Sequence, residues 1–279
     1  MNRLLNIELQ KLWKNRASKV LILTYFILLS FIALLSSVNF SFLGIDFRLA
    51  DMGIFNFPYI WHLNTYIAAL LKFFLAVVIV SMMANEYTYG TLKQNLIDGL
   101  SKKEFIASKF ITVTLFAAVS TVFIFILSLI LGYCFSSYTE ISIVTTDLIY
   151  ILSYFVKLTA FFAFCLYIGI LIKRSAFAIG FIFVWWIVEG IIKGLLRWKI
   201  LRDGELTDTV MGFFPLEAMS NLIKEPFTRL QAYKAIENQV SGKESFKFYG
   251  VHWYELVIVV CWIAIFVYLS YRTLKRRDL

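Results

Sequence analysis

The sequence predicts an all-α, polytopic membrane protein with six transmembrane helices, and three observations carry that reading. Its 279 residues are 60% hydrophobic, 18% aromatic and only 16% charged, against about 45–50% apolar and about 25% charged in soluble domains. The mean hydropathy is +0.77, and the apolar residues gather into six long runs, 20–38, 63–83, 110–135, 148–172, 175–192 and 253–274. Each is long enough for a hydrocarbon core of about 30 Å, which needs roughly 17–25 helical residues. Pro58, Pro215 and Pro226 all stand between runs, where a missing N–H and a fixed φ do no damage to a helix.

Ahead of the first run, residues 1–19 carry Leu5, Leu9, Leu12 and Trp13 at helical spacing, with Arg3, Lys11, Lys14 and Arg16 largely elsewhere. That pattern predicts a helix lying in the membrane interface with its basic side toward anionic headgroups. The run that follows exceeds the 7–15 residues or so of a signal-peptide core, so it is read as a span rather than a cleaved leader.

Basic residues near span ends are retained on the cytoplasmic side. Residues 1–19, the second connection (Lys93, Lys102, Lys103, Lys109), the fourth (Lys173, Arg174) and the tail (Arg272, Lys275, Arg276, Arg277) are all basic and fall on one side. The first connection holds Arg48 beside Asp46 and Asp51, and the third only Glu140 and Asp147. Both termini are therefore expected in the cytoplasm. The fifth connection, 193–252, carries 9 Lys+Arg and 7 Asp+Glu, but a loop of about 60 residues translocates largely regardless of charge. Within it, 216–223 reads as a short apolar helix dipping toward the outer surface, followed by a polar helix around 229–239.

The net charge of +9 is explained by this topology rather than by nucleic acid. Cys134, Cys165 and Cys261 fall inside apolar runs and read as small buried hydrophobes, not as a disulfide framework or metal site. His62 and His252 flank spans without metal-ligand spacing, and are read as interfacial residues alongside Trp61, Trp253 and Tyr254. The chain is expected to bind no metal.

The second connection, 84–109, is the most informative segment. Leu92, Leu96 and Ile97 are read on one face of a short helix, and Gly99 stands where a left-handed glycine ends it. Ser101 and Glu104 form an S-x-x-E capping box, with Leu100 and Phe105 as a hydrophobic staple, so a second helix begins at Ser101 and runs into the third span. The expected product is a rigid elbow at the membrane surface carrying Lys93, Lys102 and Lys103. An ordinary well-capped connection explains the same residues.

The run Glu86, Gly90-Thr91-Leu92-Lys93, Gly99-Leu100-Ser101-Lys102 and Lys109 resembles the pattern of ABC-2 type transporter permeases, in which a Glu and a Gly-Thr-Leu/Arg lead to a Ser-Arg/Lys turn and a Lys at the next span. Lys102 stands where Arg is commoner in that family, keeping the charge but losing the bidentate fork. The resemblance covers about 24 residues in motif and the chain in architecture. It implies one transmembrane domain over 1–279, a connecting helix over 1–19, and a coupling helix within 84–109. Glu86, Gly90, Thr91, Lys93, Gly99, Ser101, Lys102, Lys103 and Glu104 would dock on a separate ATP-binding subunit. It also implies re-entrant outer helices near 216–223, a second permease, alike or different, and an exporter in a bacterial inner membrane, driven by ATP and Mg held in the partner subunit. The chain itself has no Gly-x-x-x-x-Gly-Lys-Ser/Thr loop to cradle phosphates, and no catalytic residues are assigned.

Three ionisable residues lie inside predicted spans and count as functional candidates by default. Lys72 and Lys157 sit roughly 13–14 Å from the outer ends of their spans, and Glu189 is near the outer end of the fifth. They are expected either to line a common outward-opening translocation cavity or to snorkel and pair for packing. Ala176 and Gly180 form a small-x-x-x-small pair, read first as intramolecular packing. Two other classes compete with transport. An intramembrane enzyme would need a carboxylate pair, His set or Ser/His dyad that the spans lack; a non-transporting scaffold or immunity protein would tolerate loss of Lys72 and Lys157. Aromatic-rich spans suit an amphipathic or hydrophobic substrate, be it peptide, lipid or drug.

Overall fold

The computed structural model describes residues 2–38, 40–42, 45–47, 53–229 and 249–277. The expected interfacial helix is α1 (Asn2–Lys14). Asn15 then accepts a hydrogen bond from the Ser18 N–H and opens α2 (Arg16–Ser37), the first span. Its exit leads to a two-stranded antiparallel hairpin, β1 (Phe40–Phe42) with β2 (Ile45–Phe47); Arg48 and Asp51 lie outside the described residues.

The second span departs from expectation. Two helices, α3 (Tyr59–Leu70) and α4 (Lys72–Thr88), meet at Leu71 with a bend of 44°. Neither Pro nor Gly stands at the break. The Leu71 N–H still reaches the Ile67 carbonyl, at a stretched 3.4 Å. The bend lies where packing partners change: α3 joins a cluster of Phe55, Phe57, Trp61, Leu131 and Tyr150, whereas α4 joins the main core.

The elbow follows as α5 (Thr91–Ile97) and the start of α6 (Lys102–Phe135). A short α7 (Ile141–Val144) precedes α8 (Ile149–Ile172), and α9 (Ser175–Leu195) ends in a π-helical turn, Leu196–Ile200. Then come α10 (Gly204–Met211), α11 (Pro215–Asn221) and, after the undescribed 230–248 that hold most of the expected polar helix, α12 (Trp253–Lys275). Among the described residues five helices are individually long and apolar enough to cross a membrane, and the bent pair, taken as one broken span, brings the number to six. In lipid every backbone N–H and C=O must be satisfied within the protein, which is why these apolar runs are helices despite many β-branched residues.

The central post is α8, whose apolar stretch is 72% buried, against 17% for α9 and α12. Several polar groups inside the bundle satisfy one another. Tyr25, Ser120 and Tyr154 close a hydroxyl triangle with edges of 2.5–2.9 Å across α2, α6 and α8, and Asn64 donates to Ser128 at 2.8 Å between α3 and α6. Such bonds are worth about 0.6–2 kcal/mol each in membranes and fix helix register.

Several sequence readings are corrected here. Trp61 and His62 are fully buried, not interfacial. Trp61 donates to the Val144 carbonyl, and His62 stacks 4.2 Å from Tyr150, donates from Nε2 to the Lys224 carbonyl and accepts at Nδ1 from Arg229. The return of residues 224–229 over the end of α3 covers them. Cys165 is buried, but Cys134 and Cys261 lie on exposed helix faces. Ala176 and Gly180 also face outward, with nothing within 4 Å of a Cβ built at Gly180, so they pack no helix of this chain.

Candidate functional site

The elbow forms from local chemistry. Gly90 (φ +68°) and Gly99 (φ +94°) supply the two left-handed positions that bracket α5. The Ser101 hydroxyl accepts from the Glu104 N–H while the Glu104 carboxylate accepts from the Ser101 N–H, completing the capping box. A Gly99→Ala substitution is expected to cost about 1–2 kcal/mol, because a Cβ there clashes with the backbone in the left-handed region; a thermal midpoint unchanged from the native protein would contradict this.

Leu92 packs into the core and Leu96 is half-buried, but Ile97 is 75% exposed. Five residues at about 100° each carry it about 140° around the helix from Leu92, off the face assigned from sequence. Tyr89, also 75% exposed, and Ile97 accompany exposed Lys93 on this end of the molecule. Lys103 is likewise exposed, whereas Lys102 is half-buried and donates to the carbonyls of Lys275 (3.4 Å) and Arg277 (2.9 Å). Lys102 thus ties the elbow to the end of α12, a favourable place for a cation. Arg277 in turn donates to the Ile170 and Leu171 carbonyls at the end of α8.

Behind the elbow lies a group of four charges. Lys109 Nζ donates to Glu8 Oε2 (2.5 Å) and Glu86 Oε1 (2.6 Å), and Lys11 Nζ donates to Glu86 Oε1 (2.9 Å) and Glu8 Oε1 (3.3 Å). Thr91 donates to the other Glu86 oxygen at 2.5 Å. The side chains of Lys109, Glu86 and Glu8 are 0%, 3% and 7% exposed. Lys11 reaches in from the surface, its side chain 39% exposed; two ammonium and two carboxylate groups balance, so the quartet is neutral, and it joins α1, α4, α5 and α6 at one point.

Burial opposes the charge on Lys11, but the hydrogen bond to Glu86 and the two carboxylates outweigh it and raise its pKa above 10.5. A raised lysine pKa contributes stability that is fully present below the unfolded value and lost as pH rises through the folded one. Lys11 is therefore charged throughout the neutral range. Sequence reasoning singled out Glu86 and Thr91, quoted Lys109 only as part of a motif, counted Lys11 only as a basic residue and passed over Glu8. The signal was available: Glu8 stands between Leu5, Leu9 and Leu12 on the apolar stripe, and is the sole acid in 1–19.

Farther along the bundle, Lys72 and Lys157 line one cavity of about 310 Å³ together with Tyr66, Phe161, Trp186 and Ser220. Lys72 opens α4 at the bend, with Nζ 4.4 Å from the centre of the Phe161 ring. Lys157 Nζ reaches the Ser220 carbonyl at 3.4 Å. Glu189 is not with them. Its carboxylate accepts from Trp185 Nε1 (2.7 Å) and from the backbone N–H groups of Leu216 (3.3 Å) and Glu217 (3.1 Å), capping α11 just after Pro215.

A family model described as ABC-2 family transporter protein matches residues 4–279. The chain belongs to the ABC-2 transporter family. A comparison with curated proteins returned no match. Membership makes this multi-pass chain a membrane transport permease and implies association with an ATP-binding subunit. The match embraces α1 through α12, so the charge quartet, the elbow and the lysine cavity all lie within the ABC-2 region.

Proposed function

We propose that this ABC-2 permease is the membrane subunit of an ATP-driven exporter in a bacterial cytoplasmic membrane, with both termini cytoplasmic. The elbow 84–109 receives its push from a separate subunit that binds ATP and Mg. The observation that carries this reading is the neutral charge quartet, three of its four side chains buried, behind an exposed elbow face. Separating buried opposite charges is costly, so a load on Tyr89, Lys93 and Ile97 moves α1, α4 and α6 together rather than bending the connection alone. Glu86, Thr91 and Lys109 transmit; Gly90, Gly99, Ser101 and Glu104 shape the elbow; Lys93 and Lys103 steer docking.

Nucleotide can shift the permease only through different affinities of the partner for its two conformations. Lys72 and Lys157 line the path, Glu189 positions α11, and residues 193–252 form the extracytoplasmic loop. The outward-facing Ala176 and Gly180 on α9 allow close approach of a second permease, alike or different.

Purification of the tagged chain from its native membranes in mild detergent tests the reading. The native chain is expected to bring down an ATP-binding subunit, and Lys93→Glu with Lys103→Glu to recover about tenfold less at low salt, the difference shrinking as salt screens the charges. Lys102 is left unchanged because reversing it would also break its bonds to the end of α12. Failure to recover any nucleotide-binding protein across several detergents would favour a non-transporting scaffold.

A further inference from the structure

Among the described residues, the lysine cavity holds two basic side chains and no acidic one. Lys72 and Lys157 share about 310 Å³, and among the same residues neither forms an ion pair with a carboxylate. The acid best placed by sequence, Glu189, is committed to the amides of Leu216 and Glu217. What the lysines do have is weak: the Phe161 face attracts Lys72 without neutralising it, and a carbonyl at 3.4 Å lies beyond the usual 2.7–3.2 Å or so of an N–H···O bond. Two protonated lysines in a site walled by low-dielectric groups repel, and an anion placed between them favours the protonated form of both.

The rim says what else the ligand carries. Leu70, Phe73, Phe183 and Trp186 line the cavity and are themselves 38–62% exposed on the outer face of the bundle, so an apolar chain can leave sideways along them. The volume is at the small end of ligand pockets, about 300–1,000 Å³, enough for a headgroup and the first part of a chain but not for a folded peptide.

We propose that the cavity between α3, α4, α8, α9 and α11 binds the head of an anionic amphiphile, a carboxylate or phosphate ester on an apolar chain, between Lys72 and Lys157. The inference rests on the transport reading of this cavity for its purpose, but binding is a property of the permease alone, so the two fail separately.

The test uses the full chain in nanodiscs of zwitterionic lipid and reads energy transfer from tryptophan to a dansyl-labelled undecanoic acid. The acid is expected to bind saturably, and its methyl ester at least about tenfold more weakly, as befits loss of a charge-assisted contact. Lys72→Met and Lys157→Met should each weaken the acid about tenfold and leave the ester unchanged, while Lys72→Arg and Lys157→Arg retain binding. Equal affinity for acid and ester, or native affinity in both methionine variants, would overturn the proposal. Two sources share this chemistry. Competition by phosphatidylglycerol in the disc assigns the site to a bilayer headgroup, and undiminished acid binding in its presence assigns it to a single-chain amphiphile in transit.

Discussion

Lys109→Met is expected to destabilise the protein by about 3–5 kcal/mol, the range for breaking a buried ion pair from one side. The substitution leaves Glu8 and Glu86 facing each other with only Lys11 between them, and the ammonium it removes is fully buried. Unfolding in detergent is read as an apparent midpoint, since it is seldom reversible; a fall of about 10 °C follows for a chain of this size. Adding Glu8→Gln restores neutrality around the surviving Glu86–Lys11 pair and should recover part of the loss, a coupling that only groups in one network display. Additive effects of the two substitutions, or a midpoint within about 2 °C of native for Lys109→Met alone, would show that the quartet holds nothing together. Where the double variant regains stability without regaining ATP-coupled transport, the quartet transmits motion as well as fastening α1 to the elbow.

Ile97→Asp is expected to do the reverse, sparing the fold and weakening docking. Its side chain is exposed at the end of α5, so the thermal midpoint should stay at the native value. If the elbow face seats in a groove of the ATP-binding subunit, an aspartate at its apolar centre removes an anchor and buries an unpaired charge. Interface anchors of this kind are worth 2 kcal/mol or more, about 30-fold in affinity. Titration of the reconstituted permease with its ATP-binding subunit measures that loss, and native affinity in the variant would move the docking face elsewhere. Together Lys109→Met and Ile97→Asp separate the inside of the elbow from its outside.

Much of this was legible without a structure, for reasons that are local. The capping box at Ser101 and Glu104 and the left-handed glycine at Gly99 depend on contacts within four or five residues and form as read, and the short helix expected over 216–223 forms over Pro215–Asn221. What went astray depended on neighbours distant in sequence. Ile97 turned outward because a seven-residue helix buries only a narrow stripe. Trp61 and His62 were covered because Val144 and residues 224–229 return over α3. Lys102 was drawn half out of solvent by the carbonyls at the end of α12.

By itself the sequence determined that the chain is a polytopic, all-α membrane protein, since long apolar runs have no other stable place and lipid leaves their backbones no choice but helix. It also determined where the elbow turns. Only the tertiary structure decided which charges meet. Glu8 lies 101 residues from Lys109, and the attraction between them selects a packing of helices rather than a local conformation. The same holds for the cavity: Lys72 and Lys157 come together because α3 and α4 bend apart at Leu71, a break that follows the change of packing partners and carries no local mark.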